Sequence, residues 1–381
     1  MHRGVATFTL DYGTCPKWLF DRMVTLGREM VAILVAEYGP DEFIKRIADP
    51  VWFQSLGTVL AFDWNASGLT TILTAALKEA IRGQERSLGV FICGGKGKTS
   101  LKTPDQIESW AGRLSLPDKQ AKGLVYNSRM SAKVDSSLIQ DGFQLYHHSF
   151  FFSRNGAWAV VQQGMNKQAR TARRYHWFSE NARDLIQEPH TGIMSQGIGN
   201  SVLNITACKS ADNRSLSLQL VDGNYVSLMK DITILRKHSS SLSRTVSAYA
   251  AGDQLTLLEL EDTEFHSHPV VGENFSRSKY LEKILWKLCD KKPRSYEEIV
   301  ATEGVGPKTI RALSLVSEVI YGAKASYEDP ARYSFAHGGK DATPYPVDRK
   351  TYDHSINMLK RVVEKMKLSS SEKNRIVGSL C

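Results

Sequence analysis

Cysteine is scarce in this 381-residue chain, and no two cysteines are spaced as metal ligands. The cysteines are odd in number and scattered: Cys15, Cys93, Cys208, Cys289 and Cys381. The absence of any Cys-x-x-Cys pair argues against a zinc or iron–sulfur site built on thiolates. It also favours a reducing compartment, so the sequence predicts a cytoplasmic protein.

Long apolar runs and processing signals are missing too. No run approaches the roughly 20 apolar residues that a membrane-spanning helix needs, and the first residues do not form a signal peptide. The chain is therefore expected to have no membrane partner. A Walker A loop is missing as well, because Ile92 stands where the loop that ends at Lys98 and Thr99 requires its first glycine.

Acidic residues are too few to balance the basic ones, and the net charge is +9. Residues 266–381 contain 20 lysines and arginines against 14 aspartates and glutamates, which is six of the nine excess charges. A basic C-terminal region is what affinity for a nucleic-acid backbone requires.

The most informative motif is Gly-Val-Gly-Pro-Lys-Thr at Gly304–Thr309, which lies between two helical patterns. Upstream, Ser295 and Glu298 have the spacing of a capping box. A glycine-rich turn that opens a helix offers free backbone N–H groups to an anion. The pattern predicts a helix-hairpin-helix that holds phosphate, and double-stranded DNA is the expected partner. The predicted nucleic-acid-binding residues of the motif are Gly304, Gly306, Lys308 and Thr309.

The periodicity along the chain predicts an α+β fold. We expect an N-terminal helical segment at 1–85, a mixed α/β core at 86–235, a linker or loop at 236–265 and an all-α helix-hairpin-helix DNA-binding domain at 266–381. Two strands at 143–152 and 157–163 are joined by a turn of the β-hairpin type. A second hairpin is predicted at 216–221 and 225–229, around Asp222-Gly223-Asn224.

Polar residues are dense between Tyr126 and His176. Strand alternation places Gln144, Tyr146 and His148 on one face, where Gln162 of the neighbouring strand can meet them. Carboxylates beside such a row suit Mg²⁺ or Mn²⁺, which activates water against a phosphodiester. The predicted catalytic residues are Asp135, Asp141, Gln144, His148 and Gln162. The predicted metal ligands are Asp135, Asp141 and His148.

An arginine pair completes this region. Arg173 and Arg174 are expected to contact the phosphate backbone. No spacing here is diagnostic of a metal. The alternative is therefore a solvated sheet face with ordinary hydrogen-bonded polar residues.

The C-terminal region, from about Tyr280, resembles the helix-hairpin-helix half of the endonuclease-three-type DNA glycosylases. The resemblance rests on Gly304–Lys308 and on Pro346-Val347-Asp348. It implies a Schiff-base nucleophile at Lys308 and a charge-stabilising carboxylate at Asp348. The chain departs from that family in an insertion at 326–343 and in lacking a C-terminal cysteine cluster.

The whole chain is similar to domain-of-unknown-function family 763, which brings a shared fold but no activity. The resemblance is carried by four stretches, 140–148, 161–166, 173–177 and 333–341. The resulting hypothesis is a nucleic-acid-binding protein that acts as a metal-dependent nuclease or repair enzyme. The alternatives are a DNA glycosylase or lyase that uses Lys308 and Asp348, and a DNA-binding protein without chemistry.

Overall fold

The structure is a computed structural model that describes most of the chain up to residue 331. The described residues are 10, 14–60, 66–199, 201–238, 248–250, 253–255, 278–331, 357, 361, 363–365, 369–371 and 373–374. They form an α+β fold, as predicted, in which helices cover both faces of an antiparallel sheet. None of the helices in these ranges has an apolar stretch that could span a bilayer.

The central sheet has five strands in the order β1-β3-β4-β5-β6, and every neighbouring pair is antiparallel. Two short pairs, β2 with β7 and β8 with β9, lie outside it. The strands are β1 (Val90–Lys96), β2 (Ile139–Gln140), β3 (Gln144–Ser153), β4 (Trp158–Asn166), β5 (Thr171–Phe178), β6 (His190–Ser195), β7 (Leu203–Asn204), β8 (Ala248–Ala250) and β9 (Asp253–Leu255).

The predicted hairpin of β3 and β4 is confirmed. Its turn is fixed by the Ser153 hydroxyl, which accepts hydrogen bonds from the backbone N–H groups of Asn155 and Ala157, both at 3.2 Å. Gly156 has a φ of +101°, a backbone conformation that is strained for any residue with a side chain.

Helices make up the two outer layers. They are α1 (Lys17–Tyr38), α2 (Pro40–Ala48), α3 (Pro50–Val59), α4 (Ala66–Ala80), α5 (Glu85–Leu88), α6 (Lys98–Leu101), α7 (Thr103–Leu114), α8 (Asp118–Ser137), α9 (Ala211–Asp222), α10 (Tyr225–His238), α11 (Lys279–Lys291), α12 (Tyr296–Ala301) and α13 (Pro307–Leu315). A π-helical turn, Val316–Ile320, extends α13.

The sheet separates two apolar cores, because both faces of its central strands are buried. Phe151 and Val161 pack with α1–α4 on one face, which we call the α4 face. Phe150 and Val160 pack with α7, α8 and the C-terminal helices on the other, the α8 face. A strand covered on both sides loses the polar alternation of a surface strand, and β3 accordingly has three consecutive phenylalanines.

The second predicted hairpin is wrong, since residues 216–221 and 225–229 lie in α9 and α10. The alternating leucines at 216, 218 and 220 resemble a strand pattern. The residues that α9 buries are instead Asn213, Arg214, Ser217 and Val221, which recur at three- and four-residue intervals. Their polar members bond to neighbouring segments, so the buried stripe is helical and partly polar.

The C-terminal helices α11–α13 share the apolar core of the α8 face. Leu288, Ile299 and Leu313 are buried in the same cluster as Val134 of α8 and Trp177 of β5. The predicted domain boundaries remain predictions.

After α13 the chain returns to the sheet as a short return segment, residues 325–331. The Ser326 carbonyl accepts a hydrogen bond from Asn204 N at 2.8 Å, and the Tyr327 carbonyl accepts one from Val202 N at 3.1 Å. Asp329 forms a buried ion pair with Arg173 of β5. The segment is thus fastened to strands at both of its ends.

Candidate functional site

The turn between α12 and α13, residues 302–306, connects two helices as expected, and we call it the hairpin. The Ser295 hydroxyl caps α12 by accepting from Glu298 N at 3.2 Å. The Glu298 carboxylate reaches back to the N–H of Arg294, at 2.9 Å, one residue before the expected partner. Helix α12 then ends where Thr302 N donates to the carbonyl of Glu298.

Gly304 is required by the shape of the hairpin. Its φ is +90°, and a Cβ atom there would lie 2.4 Å from Cδ1 of Ile284. The Tyr280 hydroxyl donates to the Gly304 carbonyl at 3.0 Å. Val305 is buried in the apolar core of the α8 face. The backbone therefore passes close to α11 at a point where only glycine fits.

Gly306 lies on the open side of the hairpin. It caps α13 without a side-chain bond, and a Cβ atom added there would meet nothing within 4 Å. Pro307 takes the first helical position, and the Lys308 side chain is exposed. Thr309 is buried as a whole residue, so the predicted contact of Thr309 with nucleic acid does not fit this geometry. Since Pro307 has no N–H, the backbone N–H of Lys308, next to the open space at Gly306, is the donor that the start of α13 can offer to a ligand.

The hairpin is held in place by α8 and the segment after it. The Lys133 ammonium donates to the carbonyls of Val300 and Thr302, both at 2.7 Å. Burial lowers the pKa of Lys133. On the other side, the Gln140 amide donates to the Pro307 carbonyl at 2.9 Å. These bonds fix the helix ends that flank the turn.

A row of lysines on α11, which the sequence analysis missed, runs along the helix to the hairpin. Its members recur every four residues, at Lys279, Lys283, Lys287 and Lys291. Two of them bond to the hairpin. Lys287 donates to the Glu303 carbonyl and Lys291 to the Thr302 hydroxyl, both at 3.1 Å. The i, i+4 spacing places this lysine row on one side of the helix, and the spacing alone could have revealed it.

Three of the predicted catalytic residues do meet, in a buried relay between α8 and the sheet. The Gln162 amide donates to Asp135 Oδ2 at 2.5 Å and to the Ser131 carbonyl at 3.2 Å. Its oxygen therefore accepts from His148 Nδ1, 2.8 Å away. Neutral His148 then has Nε2 as an acceptor for the Ser128 hydroxyl, at 2.9 Å. Burial lowers the pKa of His148 to about 4, which keeps the ring neutral.

Asp135 is the last residue of this relay, and both of its carboxylate oxygens have hydrogen-bond partners. Trp177 Nε1 donates to Oδ2 at 3.1 Å, and His190 Nε2 lies 2.5 Å from Oδ1. Sequence reasoning missed Ser128 and His190, which reach the relay from separate elements. All six side chains are buried or nearly so, and the relay crosslinks α8 to four strands.

Asp141 belongs to a different network. Its Oδ2 accepts from Arg173 Nη1 at 2.9 Å and from the Tyr175 hydroxyl at 2.6 Å, and its Oδ1 accepts from Phe143 N at 3.0 Å. Arg173 also forms a two-bond pair with Asp329 at 2.7 and 2.9 Å. Burial would lower the pKa of Arg173, but the nearby carboxylates raise it instead.

The arginine pair does not fit the predicted phosphate contact. Arg173 lies on the α8 face, while Arg174 lies on the α4 face with its guanidinium over the Phe53 ring. Both side chains are buried, because β5 is covered on both sides. Burial lowers the pKa of Arg174 to about 9. Gln144, at the start of β3, is exposed and away from the relay, and Asp348 lies outside the described residues.

The predicted Mg²⁺ or Mn²⁺ site fits poorly with these donor sets. Among the described residues there is no group of three or more His, Cys, Asp or Glu side chains placed to hold a metal. The oxygens of Asp135 and Asp141 accept from N–H and O–H donors, and the Arg173 guanidinium beside Asp141 would repel a cation. The relay is better described as a structural hydrogen-bond network.

A protein-family model matches residues 4–347 of the chain, and its description is "Protein of unknown function (DUF763)". No curated protein and no solved structure matches the chain.

Proposed function

We propose that this chain, which belongs to the DUF763 family, binds the backbone of double-stranded DNA through the hairpin and the start of α13. The observation that carries the proposal is the contrast between the two glycines of the hairpin. Gly304 is packed tightly against α11, whereas Gly306 opens onto free space beside exposed Lys308. Such a turn is fixed on its inner side and accessible on its outer side.

Phosphate is the ligand that this geometry favours. The N-terminus of α13 has no side-chain cap, and because Pro307 carries no N–H, the backbone N–H of Lys308 and the positive end of the helix dipole are what it can offer to an anion. Lys308 adds a charge next to them, and the lysine row adds others along α11. Contacts of this kind hold a duplex without reading its sequence.

Rigidity supports the same function. Because Lys133 and Gln140 hold both helix ends, the hairpin loses little conformational freedom when a ligand binds. Binding is therefore expected to be weakly sequence-dependent and strongly salt-dependent.

The test is fluorescence anisotropy of a labelled blunt duplex over a series of salt concentrations. Lys308→Gln should weaken binding about threefold to tenfold and lower the slope of log Kd against log salt by about one. The matched control is Lys45→Gln, which removes the same charge from an exposed position on α2, on the other side of the sheet. Equal effects of the two substitutions, or no duplex binding by the wild type at low salt, would contradict the proposal.

The nuclease and the lyase are separate proposals about chemistry, and binding does not depend on either. Duplex cleavage that requires Mg²⁺ or Mn²⁺ and stops on chelation would support the nuclease. A borohydride-trapped adduct on abasic DNA that is lost in Lys308→Ala would support the lyase. DNA binding without either product would support a binding protein without chemistry.

A further inference from the structure

Two large aromatic side chains of α11 project into solvent. Tyr280 is 61% exposed and Trp286 is 55% exposed. The opposite side of the helix is apolar and packed, with Leu281, Leu285 and Leu288 in the core. The core therefore accounts for the buried side of α11 but not for the exposed rings, which suits them to contact a partner.

The two rings flank the lysine row. Six residues of α-helix separate Tyr280 from Trp286 by about 9 Å along the axis and about 120° around it, with Lys283 halfway between them. Lys279 and Lys287 precede and follow Lys283 on the same side. Flat rings thus alternate with positive charges across the outer surface of one helix.

Single-stranded nucleic acid is the partner that this chemistry suits. Bases stack on aromatic rings while cations follow the phosphates, and this combination is typical of proteins that bind unpaired strands. A duplex keeps the faces of its bases stacked inside the helix and presents only their edges and the backbone. A protein partner is a poorer match, because lysine is depleted in protein–protein interfaces.

The exposed rings and lysines of α11 lie next to the hairpin. The Tyr280 hydroxyl donates to the Gly304 carbonyl, so one of the two rings lies directly beside the turn proposed to hold phosphate. Lys287 bonds to the next residue back, Glu303. A strand that leaves a duplex held at the hairpin can therefore pass directly onto α11.

We infer that the outer face of α11 is a stacking platform for unpaired bases, so the preferred ligand is a duplex with a single-stranded extension. This inference rests on the proposed binding of DNA at the hairpin. It adds a structural preference that the hairpin alone does not provide.

Two labelled DNAs test the inference by fluorescence anisotropy, a blunt duplex and the same duplex with a single-stranded extension. The wild type should bind the extended DNA more tightly. Trp286→Ala should raise its Kd for the extended DNA about tenfold and leave its Kd for the blunt duplex unchanged. Trp286→Phe keeps an aromatic ring and should stay within about twofold of the wild type.

The possible outcomes distinguish failure of this inference from failure of the proposed DNA binding at the hairpin. Equal wild-type affinity for both DNAs, or equal losses on both in Trp286→Ala, would overturn the stacking platform and leave hairpin binding intact. Failure of the wild type to bind either DNA would overturn both. Binding to anionic phosphatidylserine vesicles that Trp286→Ala abolishes, with DNA binding unaffected, would assign the rings to a membrane surface and also overturn the inference.

Discussion

A methyl group at Gly304 is expected to destabilise the protein by about 2–5 kcal/mol. Two costs contribute. A side chain at a φ of +90° is strained by about 1–2 kcal/mol. Its Cβ would also lie 2.4 Å from Ile284 Cδ1 and 3.2 Å from the Tyr280 hydroxyl, and overpacking of this kind typically costs about 1–3 kcal/mol.

The measurement is the free energy of unfolding in urea, by circular dichroism, for Gly304→Ala and for Gly306→Ala. Gly306 is the matched control, since it lies two residues away in extended backbone with open space around its Cα. Its substitution should cost no more than about 1 kcal/mol, the usual difference between glycine and alanine at a helix N-cap.

A double substitution separates the two costs at Gly304. Ile284→Val removes the Cδ1 atom that the new methyl would meet. In that background Gly304→Ala should cost at least about 1 kcal/mol less than in the wild type, and the cost that remains comes from backbone strain and from the contact with the Tyr280 hydroxyl. Strict additivity of the two substitutions, or equal stability of Gly304→Ala and the wild type, would refute the reasoning.

Two further predictions concern the buried polar networks. Arg173→Met should lower the free energy of unfolding by about 3–5 kcal/mol, because it leaves Asp141 and Asp329 buried without their cation; urea unfolding measures it, and a loss below about 1 kcal/mol would contradict it. Stability should also fall as the pH drops from about 6.5 towards 4. The unfolded chain takes up protons there that two buried histidines of the folded chain, His148 (pKa about 4) and His147 (pKa about 3, beside the Thr74 hydroxyl), do not. Each histidine contributes up to about 1.4 kcal/mol per pH unit, and His148→Gln should reduce the measured slope by that amount.

The sequence predicted the elements that depend on residues close together in the chain. The β3–β4 hairpin follows from its turn sequence, in which Gly156 takes positive φ. The hairpin between α12 and α13 follows from its glycines and from the Ser295 cap. The pairing of His148 with Gln162 follows from strand alternation in neighbouring strands.

Other predictions failed because they depended on contacts between distant parts of the chain. Tyr146 was expected beside His148, but a register shift between Leu145 and His147 lets the Tyr146 hydroxyl bond to Gln163 on the α4 face. The arginine pair was expected to bind phosphate, and no local pattern reveals that helices cover both faces of β5. The partners Ser128 and His190 come from distant positions and are recognisable only once the chain is folded.

The return segment attaches the end of the C-terminal helices to strands β5 and β7. To swing the hairpin away from the sheet, the chain would have to withdraw Asp329 from its buried pair with Arg173 and release Ser326 from Asn204. Extracting a buried carboxylate from its cation costs several kcal/mol. The surface that we propose binds DNA is therefore held in a fixed position, and any distortion on binding should fall on the nucleic acid.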